Sequence, residues 1–471
     1  MSVPLPSHPQ LSGNYAPIRI ECDATDLTVE GDLPPQLHGS LYRVGPNPQY
    51  MPTDEYHWFG GDGMIHAFHF GDGRVDYCNR WARTPKWELE HEAGRGLFGL
   101  FGNPMTSDPA TQGKDCGVAN TNMLWHDGRL MALEELHAPF ELDPTTLESA
   151  GYYRFDGKLP SHMTAHPKVD PKTGELLFFS YFAGGFFTPD IGFHVADPNG
   201  DLVRNETFQA PYTAMVHDFA ITDTHVIFPI CPLTGSMERA MAQRPAFAWE
   251  PELGTRVGIM ERDQNVDSIR WFESDACFMF HPMNAWSDDG VVTVDVMQFE
   301  AAPLFTYADG TPVERSKSNA RLCRWTFDLN SNSNTFKRTY LDDLIGEFPR
   351  IDERYGGSPY RHGFIASTYA RVKGDQGVFN QITHFDLQEN TREIYQVPDG
   401  DAVSEPVFVA RAPDAAEGDG FLLATVFRRA QNRSDLIILD AMHIEAGPVA
   451  TVGLDHRIPF GFHGCWRQAE D

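Results

Sequence analysis

Short β-prone runs, each closed by a turn signal, recur along most of the chain, and they restrict its fold more than any other feature. Gly71-Asp72-Gly73 separates Met64–Phe70 from Arg74–Trp81, and Asp127-Gly128 separates Met123–Trp125 from Arg129–Leu133. Pro171–Glu175 leads into Leu176–Phe182, Asp289-Gly290 into Val291–Phe299, and Gly418-Asp419-Gly420 into Phe421–Phe427. Connections this short turn one antiparallel strand into the next, whereas parallel strands need a crossover of a dozen residues or more. Helical periodicity is scarce; Glu88–Phe101 and Ser236–Gln243 are the helix candidates, both in insertions between strand groups. The pattern predicts an all-β protein: a sandwich, a set of barrels or a propeller. No strict repeat of the WD or kelch kind is present, so a propeller must be divergent. Seven blades of about 45 residues take about 315, which leaves roughly 150 of the 471 residues for a cap of loops and short helices. No Ser/Gly linker or charged run divides the chain, and a single domain over residues 1–471 is expected.

The formal charge of −29 opposes binding to nucleic acid or to an anionic membrane, both of which need a basic face. Seven cysteines (22, 78, 116, 231, 277, 323 and 465) are scattered, odd in number and never paired as Cys-x-x-Cys. That excludes a disulfide framework and a zinc finger, and fits reduced thiols in a cytoplasm. The opening residues lack the basic and apolar regions of a signal peptide, and no apolar run approaches the roughly 20 residues of a membrane span. The expectation is a cytoplasmic protein with no integral membrane association.

Chemistry is concentrated in a few histidines. Ile458–Trp466 carries His463 between Gly461 and Gly464 and among Phe460, Phe462 and Trp466. The glycines let backbone pass close to something, and the aromatics make the place dry. An imidazole there needs a hydrogen bond or a metal. His166 in Thr-Ala-His-Pro-Lys, His217 in Met-Val-His-Asp-Phe and His281 in Phe-Met-Phe-His-Pro have equally distinctive neighbours. A buried histidine with a satisfied ring accounts for any one of the four taken alone. Their separations, 51, 64 and 182 residues, are too long for a local metal loop but suit ligands presented one per blade toward an axis. An all-imidazole set suits iron, zinc or copper. Metal-bound imidazoles usually donate their second N–H to a carboxylate. Glu135, Glu347 and Glu405 stand in apolar or turn-like surroundings where a bare charge is costly; a glutamate taken singly is more often salt-bridged or exposed.

With these residues placed, the chain resembles the carotenoid cleavage oxygenases, in the branch of lignostilbene dioxygenases and isoeugenol-cleaving oxygenases. The resemblance runs nearly end to end. It is carried by Gly39-Ser-Leu-Tyr-Arg-Val-Gly-Pro-Asn-Pro48, His57-Trp-Phe-Gly-Gly-Asp-Gly-Met64, Ala165–Glu175 and Val216-His-Asp-Phe219. It continues through Phe280-His-Pro-Met-Asn-Ala285, Glu347-Phe-Pro-Arg350, Glu405-Pro-Val-Phe-Val409 and Gly461-Phe-His-Gly464. The resemblance implies a seven-bladed β-propeller with a cap of loops and short helices over the iron face. It also implies a non-haem Fe(II) on His166, His217, His281 and His463, with outer carboxylates Glu135, Glu347 and Glu405. His166, first in the chain, is the one expected to lack a glutamate partner. The implied reaction splits an alkene C=C bond with dioxygen into two carbonyl products. Four neutral imidazoles would leave the ion dicationic with up to two of six positions open. Dioxygen alone balances the reaction, so no nicotinamide or ketoacid is needed, and no Walker loop is seen.

Substrate must arrive by an apolar route, and Phe178–Phe182, Phe186-Phe187 and Leu97–Phe101 are lining candidates, although such rings are more often core. In the resembled branch a tyrosine and a lysine grip the substrate's phenolic oxygen near a phenylalanine retained here as Phe59. The tyrosine position falls on Phe101 and the lysine position on Glu134. A glutamate can accept from a neutral phenol but repels a phenolate. The expected partners are therefore a small apolar or aromatic alkene (stilbenoid, phenylpropenoid or apocarotenoid) and dioxygen, in a monomer or homodimer. Two other readings compete: a propeller that binds or hydrolyses carbohydrate, which needs clustered carboxylates and no iron, and a catalytically idle lipophile-binding relative, which would have lost a ligand.

Overall fold

The computed structural model describes residues 8–51, 56–368 and 379–469. It is mostly strand. Among the described residues α-helix is confined to Pro85–Ala93 and Met237–Met241, beside short 3-10 turns. The hairpins fall where the turn signals put them: Gly63–Gly71 pairs with Arg74–Trp81, Asn122–His126 with Arg129–Leu133, and Gly420–Arg428 with Arg433–Asp440. Asp72, Asp127 and Asp289 each hold positive φ before a glycine that does the same, the geometry that makes Asp-Gly a hairpin turn.

The first expected helix is displaced. It starts at Pro85 under a Thr84 side-chain cap and stops at Gly94, which takes φ +66° and accommodates the left-handed cap without a Cβ clash. Leu97–Phe101 is therefore not helical, and the Leu97 and Phe98 N–H groups donate to Glu90 Oε1 at 2.8 and 3.1 Å. The second helix is shorter than expected, Met237–Met241, with Ser236 Oγ accepting the Arg239 N–H.

The fold divides into two compact units. Unit 1 comprises Met1–Arg154 and Phe364–Asp471. One of its sheets runs Cys22–Ala24, Arg74–Trp81, Gly63–Gly71, Gly39–Pro46, Gly464–Gln468, so residues from both segments share one sheet. In it Tyr42 pairs with Cys465 and Arg43 with Gly464. A second sheet likewise joins Val29–Gly31 to Pro448–Gly453. Between these sheets lies a core that includes Leu41, Phe68, Tyr77, Leu423, Ile438 and Val452, all at most 1% exposed. Apolar burial at roughly 25 cal/mol per Å² makes such a layer the main support of the unit.

Unit 2, Phe155–Gly363, carries three successive four-stranded antiparallel sheets. Their first strands are Lys168–Val169, Ala220–Ile221 and Phe278–Asp288. A smaller three-stranded sheet joins Leu233–Gly235, Phe247–Trp249 and Thr306–Tyr307. Phe178, Phe179, Phe193, Phe219 and Phe228 are fully buried, so Phe178 and Phe179 are core; Phe186 is 41% exposed. Among the described residues no helix is long and apolar enough to cross a membrane. All seven cysteines are free.

Candidate metal centre and substrate-facing residues

In unit 2 three imidazoles converge. His166 and His217 precede the first strands of their sheets by two or three residues, and His281 lies in the first strand of the third. The pairing of that strand, Phe278–Asp288, shifts register between Met279 and Pro282 and again between Pro282 and Asn284. Such an irregularity rotates side chains off strict alternation, and here it aims His281 at its two neighbours. All three rings are buried. His166 Nε2 lies 3.0 Å from His217 Nε2, which lies 3.1 Å from His281 Nε2.

The other face of His281 is fixed by a carboxylate: Nδ1 is 2.6 Å from Glu347 Oε2. The same oxygen accepts the Phe348 N–H. Phe348 holds φ +57°, a costly conformation for a bulky residue, and lays its ring 5.9 Å from that of His281. Strain is being spent on holding Glu347 and its histidine. Glu347 accepts a hydrogen bond from Nδ1–H, so His281 Nε2 bears the lone pair. Nitrogens this close to one another are placed to share one cation. Imidazole nitrogens are donors that iron, zinc and copper all accept.

Beside His166 stands a carboxylate that the sequence reading passed over. Asp218 Oδ2 is 3.8 Å from His166 Nδ1, and its Oδ1 is bound by Lys168 Nζ at 2.8 Å. Its signal was plain in the chain, since it is the residue after His217.

In unit 1 His463 has an equally built setting. Its Nδ1 is 2.8 Å from Glu405 Oε1, and Glu405 Oε2 accepts the Gly464 N–H at 2.9 Å. One carboxylate thus fixes both ring and backbone. The His463 N–H donates to Thr121 O, and the Phe462 N–H to Val44 O. Gly461 is required by close approach: a Cβ there would sit 2.8 Å from Val44 O, and one on Gly45 would sit 2.4 Å from Gly461 Cα. Phe462 packs on Trp58 with ring centroids 4.2 Å apart, and on Phe59 at 5.6 Å. Glu135 is half-buried, two residues beyond the strand Arg129–Leu133.

Phe59 and Phe101 meet edge to face at 5.7 Å, and His57 stacks on Phe101 at 5.3 Å. Glu134 is not a bare charge. Its Oε2 accepts the Val118 N–H at 3.0 Å, and its Oε1 is ion-paired with His137. Burial alone would lower the His137 pKa, but Glu134 outweighs it and carries it up to about 11. Asp115 Oδ2 lies 3.7 Å from the far nitrogen of His137, and Asp115 Oδ1 accepts the Tyr152 hydroxyl at 2.7 Å. Burial, with Glu134 and Asp115 nearby, pushes the Tyr152 phenol well up. His137, three residues after Glu134, could have been found by asking what neutralises a glutamate in an apolar run.

Comparison with known proteins places the chain in a family. The profile of the family described as "Retinal pigment epithelial membrane protein" (RPE65) matches residues 15–468. The chain is 41% identical over 466 residues to isoeugenol monooxygenase of Pseudomonas nitroreducens, covering 97% of this chain and 98% of that protein. It is 38% identical over 474 residues to lignostilbene-α,β-dioxygenase isozyme III of Sphingomonas paucimobilis, covering 98% of this chain and 97% of that protein. The crystal structure of Pseudomonas brassicacearum lignostilbene dioxygenase matches with a TM-score of 0.95 at 38% identity, covering 99% of this chain and 100% of that one. This chain belongs to the RPE65 or carotenoid cleavage oxygenase family, and it is an alkene-cleaving oxygenase.

Proposed function

We propose that the protein is a non-haem Fe(II) dioxygenase that cleaves the C=C bond of an aryl alkene into two carbonyl products. The observation that carries the reading is the convergence of His166, His217 and His281 through Nε2, at 3.0 and 3.1 Å between successive rings, with Glu347 holding the tautomer of His281. His463, whose Nδ1 is likewise held by Glu405, is the fourth ligand. When bound, Fe(II) supplies the redox chemistry that turns dioxygen on the alkene. The chain's own residues do the rest. The carboxylates Glu347 and Glu405 keep the Nδ1 protons in place, so Nε2 stays available. Glu135 is proposed to do the same for a third ligand. Phe280, with its ring 4.9 Å from that of His217, and Phe348 keep water from the imidazoles.

Phe59 and Phe101 form the wall against which the substrate ring packs, and the Glu134–His137 pair replaces a free cation with an ion pair. That wall favours a ring that is neutral, methylated or apolar at the para position, hence a stilbenoid or phenylpropenoid ether over a phenolate. Support for a seven-bladed propeller in one domain comes from the sheets. Among the described residues seven of them have four or more strands, and the eighth has three. The cap would be built from the helical insertions at Pro85–Ala93 and Met237–Met241. The free cysteines suit a cytoplasmic location.

The test is metal analysis joined to a substrate panel. The purified chain, loaded anaerobically with Fe(II) or with Zn(II), is offered stilbenes, isoeugenol, vinylguaiacol and apocarotenals in air, and the aldehydes are read by mass spectrometry. About one iron per chain and aldehyde from the iron form only are expected. His217→Ala should lose both metal and turnover while the strand content is kept. Aldehyde from the zinc form, or none from the iron form with any alkene, would overturn the proposal.

A further inference from the structure

Lys86 is the second residue of the helix Pro85–Ala93, where a cation opposes the helix dipole. It is also buried, at 6% exposure, and a buried ammonium is costly unless paired. A placement that local physics disfavours twice has a reason elsewhere. Lys86 Nζ lies 2.6 Å from Asp62 Oδ1 and 3.1 Å from Glu90 Oε2, and these carboxylates are 1% and 2% exposed. Burial pulls its pKa down, but Asp62 and Glu90 outweigh that and hold it above the ordinary lysine range. The ammonium is therefore fully charged and occupied, and unavailable as a base.

Each carboxylate reaches onward. Asp62 closes the turn that begins at His57, and its Oδ2 accepts the Gln49 N–H at 2.8 Å. In the same turn the carbonyls of Phe59 and Gly61 both accept from Asn120 Nδ2, at 2.8 and 2.7 Å. Glu90 Oε1 accepts the N–H groups of Leu97 and Phe98, the start of the segment that ends in Phe101. One buried cation thus ties together the two segments that meet where Phe59 touches Phe101.

We infer that Lys86 is a positioning residue for substrate, setting the Phe59–Phe101 wall through Asp62 and Glu90 without touching the substrate itself. The inference rests on the reading that this wall faces the substrate. It predicts an effect on KM, because a displaced wall weakens ring packing while the metal ligands stay in place.

The test uses the iron-loaded full chain and trans-4-methoxystilbene. Lys86→Met should raise KM about tenfold, with kcat per bound iron within twofold and iron content unchanged. Lys86→Arg, which keeps the charge, should bring KM back to within threefold of the unsubstituted protein. Where Lys86→Met does not fold, Glu90→Met carries the test: it leaves the Lys86–Asp62 pair intact, removes the acceptor of the Leu97 and Phe98 N–H groups, and should raise KM about fivefold. An unchanged KM in the folded variants, with activity falling only in step with the folded fraction, overturns the inference. Phe101→Ala separates the two ideas. If it raises KM while the Lys86 and Glu90 variants do not, the tether alone fails; if it too leaves KM unmoved, the placement of the wall is wrong and the tether falls with it.

Discussion

Replacing Glu134 by glutamine removes one charge with almost no change of shape, and the structure says what should follow. The amide oxygen can still accept the Val118 N–H, but the ion pair to His137 is gone. In the unsubstituted protein His137 is held charged up to about 11, against about 6.5 for a free imidazole. Its folded pKa is raised, so its contribution is fully present below about pH 6.5 and is lost as pH rises through about 11. Between those limits the folded chain holds one proton more than the unfolded chain. Stability therefore falls with pH by up to about 1.4 kcal/mol per unit from this residue alone. With glutamine in place, burial is no longer opposed by that carboxylate, the His137 pKa falls, and the slope is reduced. At neutral pH the variant should be less stable by about 3–5 kcal/mol, the usual cost of taking one partner from a buried pair. The gap should close as pH rises toward about 10. Urea unfolding of both proteins across that range measures the gap, and groups titrating in both cancel in the difference. The imidazole C–H resonance of His137, assigned with His137→Gln, gives the pKa directly. Stability curves that run parallel from about pH 7 to about pH 10 would refute the argument, as would a His137 titration near the free-imidazole value.

Glu347→Gln and Glu405→Gln should each lower iron affinity or turnover by roughly 10–100-fold; unchanged iron content and turnover in both would leave these carboxylates a structural role only. The pair Phe101→Tyr with Glu134→Lys should improve kcat/KM on 4-hydroxystilbenes by about 1–3 kcal/mol, the scale of a charge-assisted hydrogen bond. An unsubstituted enzyme that already prefers 4-hydroxystilbenes to their 4-methoxy analogues contradicts that reading of the wall. Gly461→Ala would place a Cβ 2.8 Å from Val44 O, shifting the His463 backbone; turnover should fall at least tenfold while circular dichroism stays unchanged, and normal turnover would show that the close contact is tolerated.

What the sequence made legible was whatever depends on short-range chemistry. Asp72-Gly73 and Asp127-Gly128 identify hairpins because their backbone conformations are favourable for few other residue pairs. His281 and Glu347 stood out through their neighbours, and they meet at 2.6 Å. The misses lie where burial and packing, and not the local pattern, decide the outcome. Gly94 is a stop signal that apolar residues further on masked, so the helix was extended to Phe101 when it ends at Ala93. Lys86 carries no local signal, because nothing near it tells that Asp62, 24 residues earlier, pairs with it. Glu134 was read as an open anion because its cation, His137, is itself a weak signal until burial is known. The register shifts around Pro282 that aim His281 are set by Val291–Phe299 across the sheet, and no pattern within Phe278–Asp288 predicts them.

The pairing of Gly39–Pro46 with Gly464–Gln468 has a consequence for how the centre comes to exist. The partners Tyr42 and Cys465 are more than 400 residues apart in the chain. Closing so large a loop costs only roughly 3 kcal/mol more than closing one of about 20 residues, but contacts of such separation form slowly. His463 lies one residue ahead of that strand, and the carboxylate that orients it also grips the first residue of the strand, Gly464. The imidazole is thus set by the same event that zips the sheet. A chain caught before that event owns three of its four proposed ligands and lacks the last. A metal centre built on the four proposed ligands is therefore complete only once this sheet has closed.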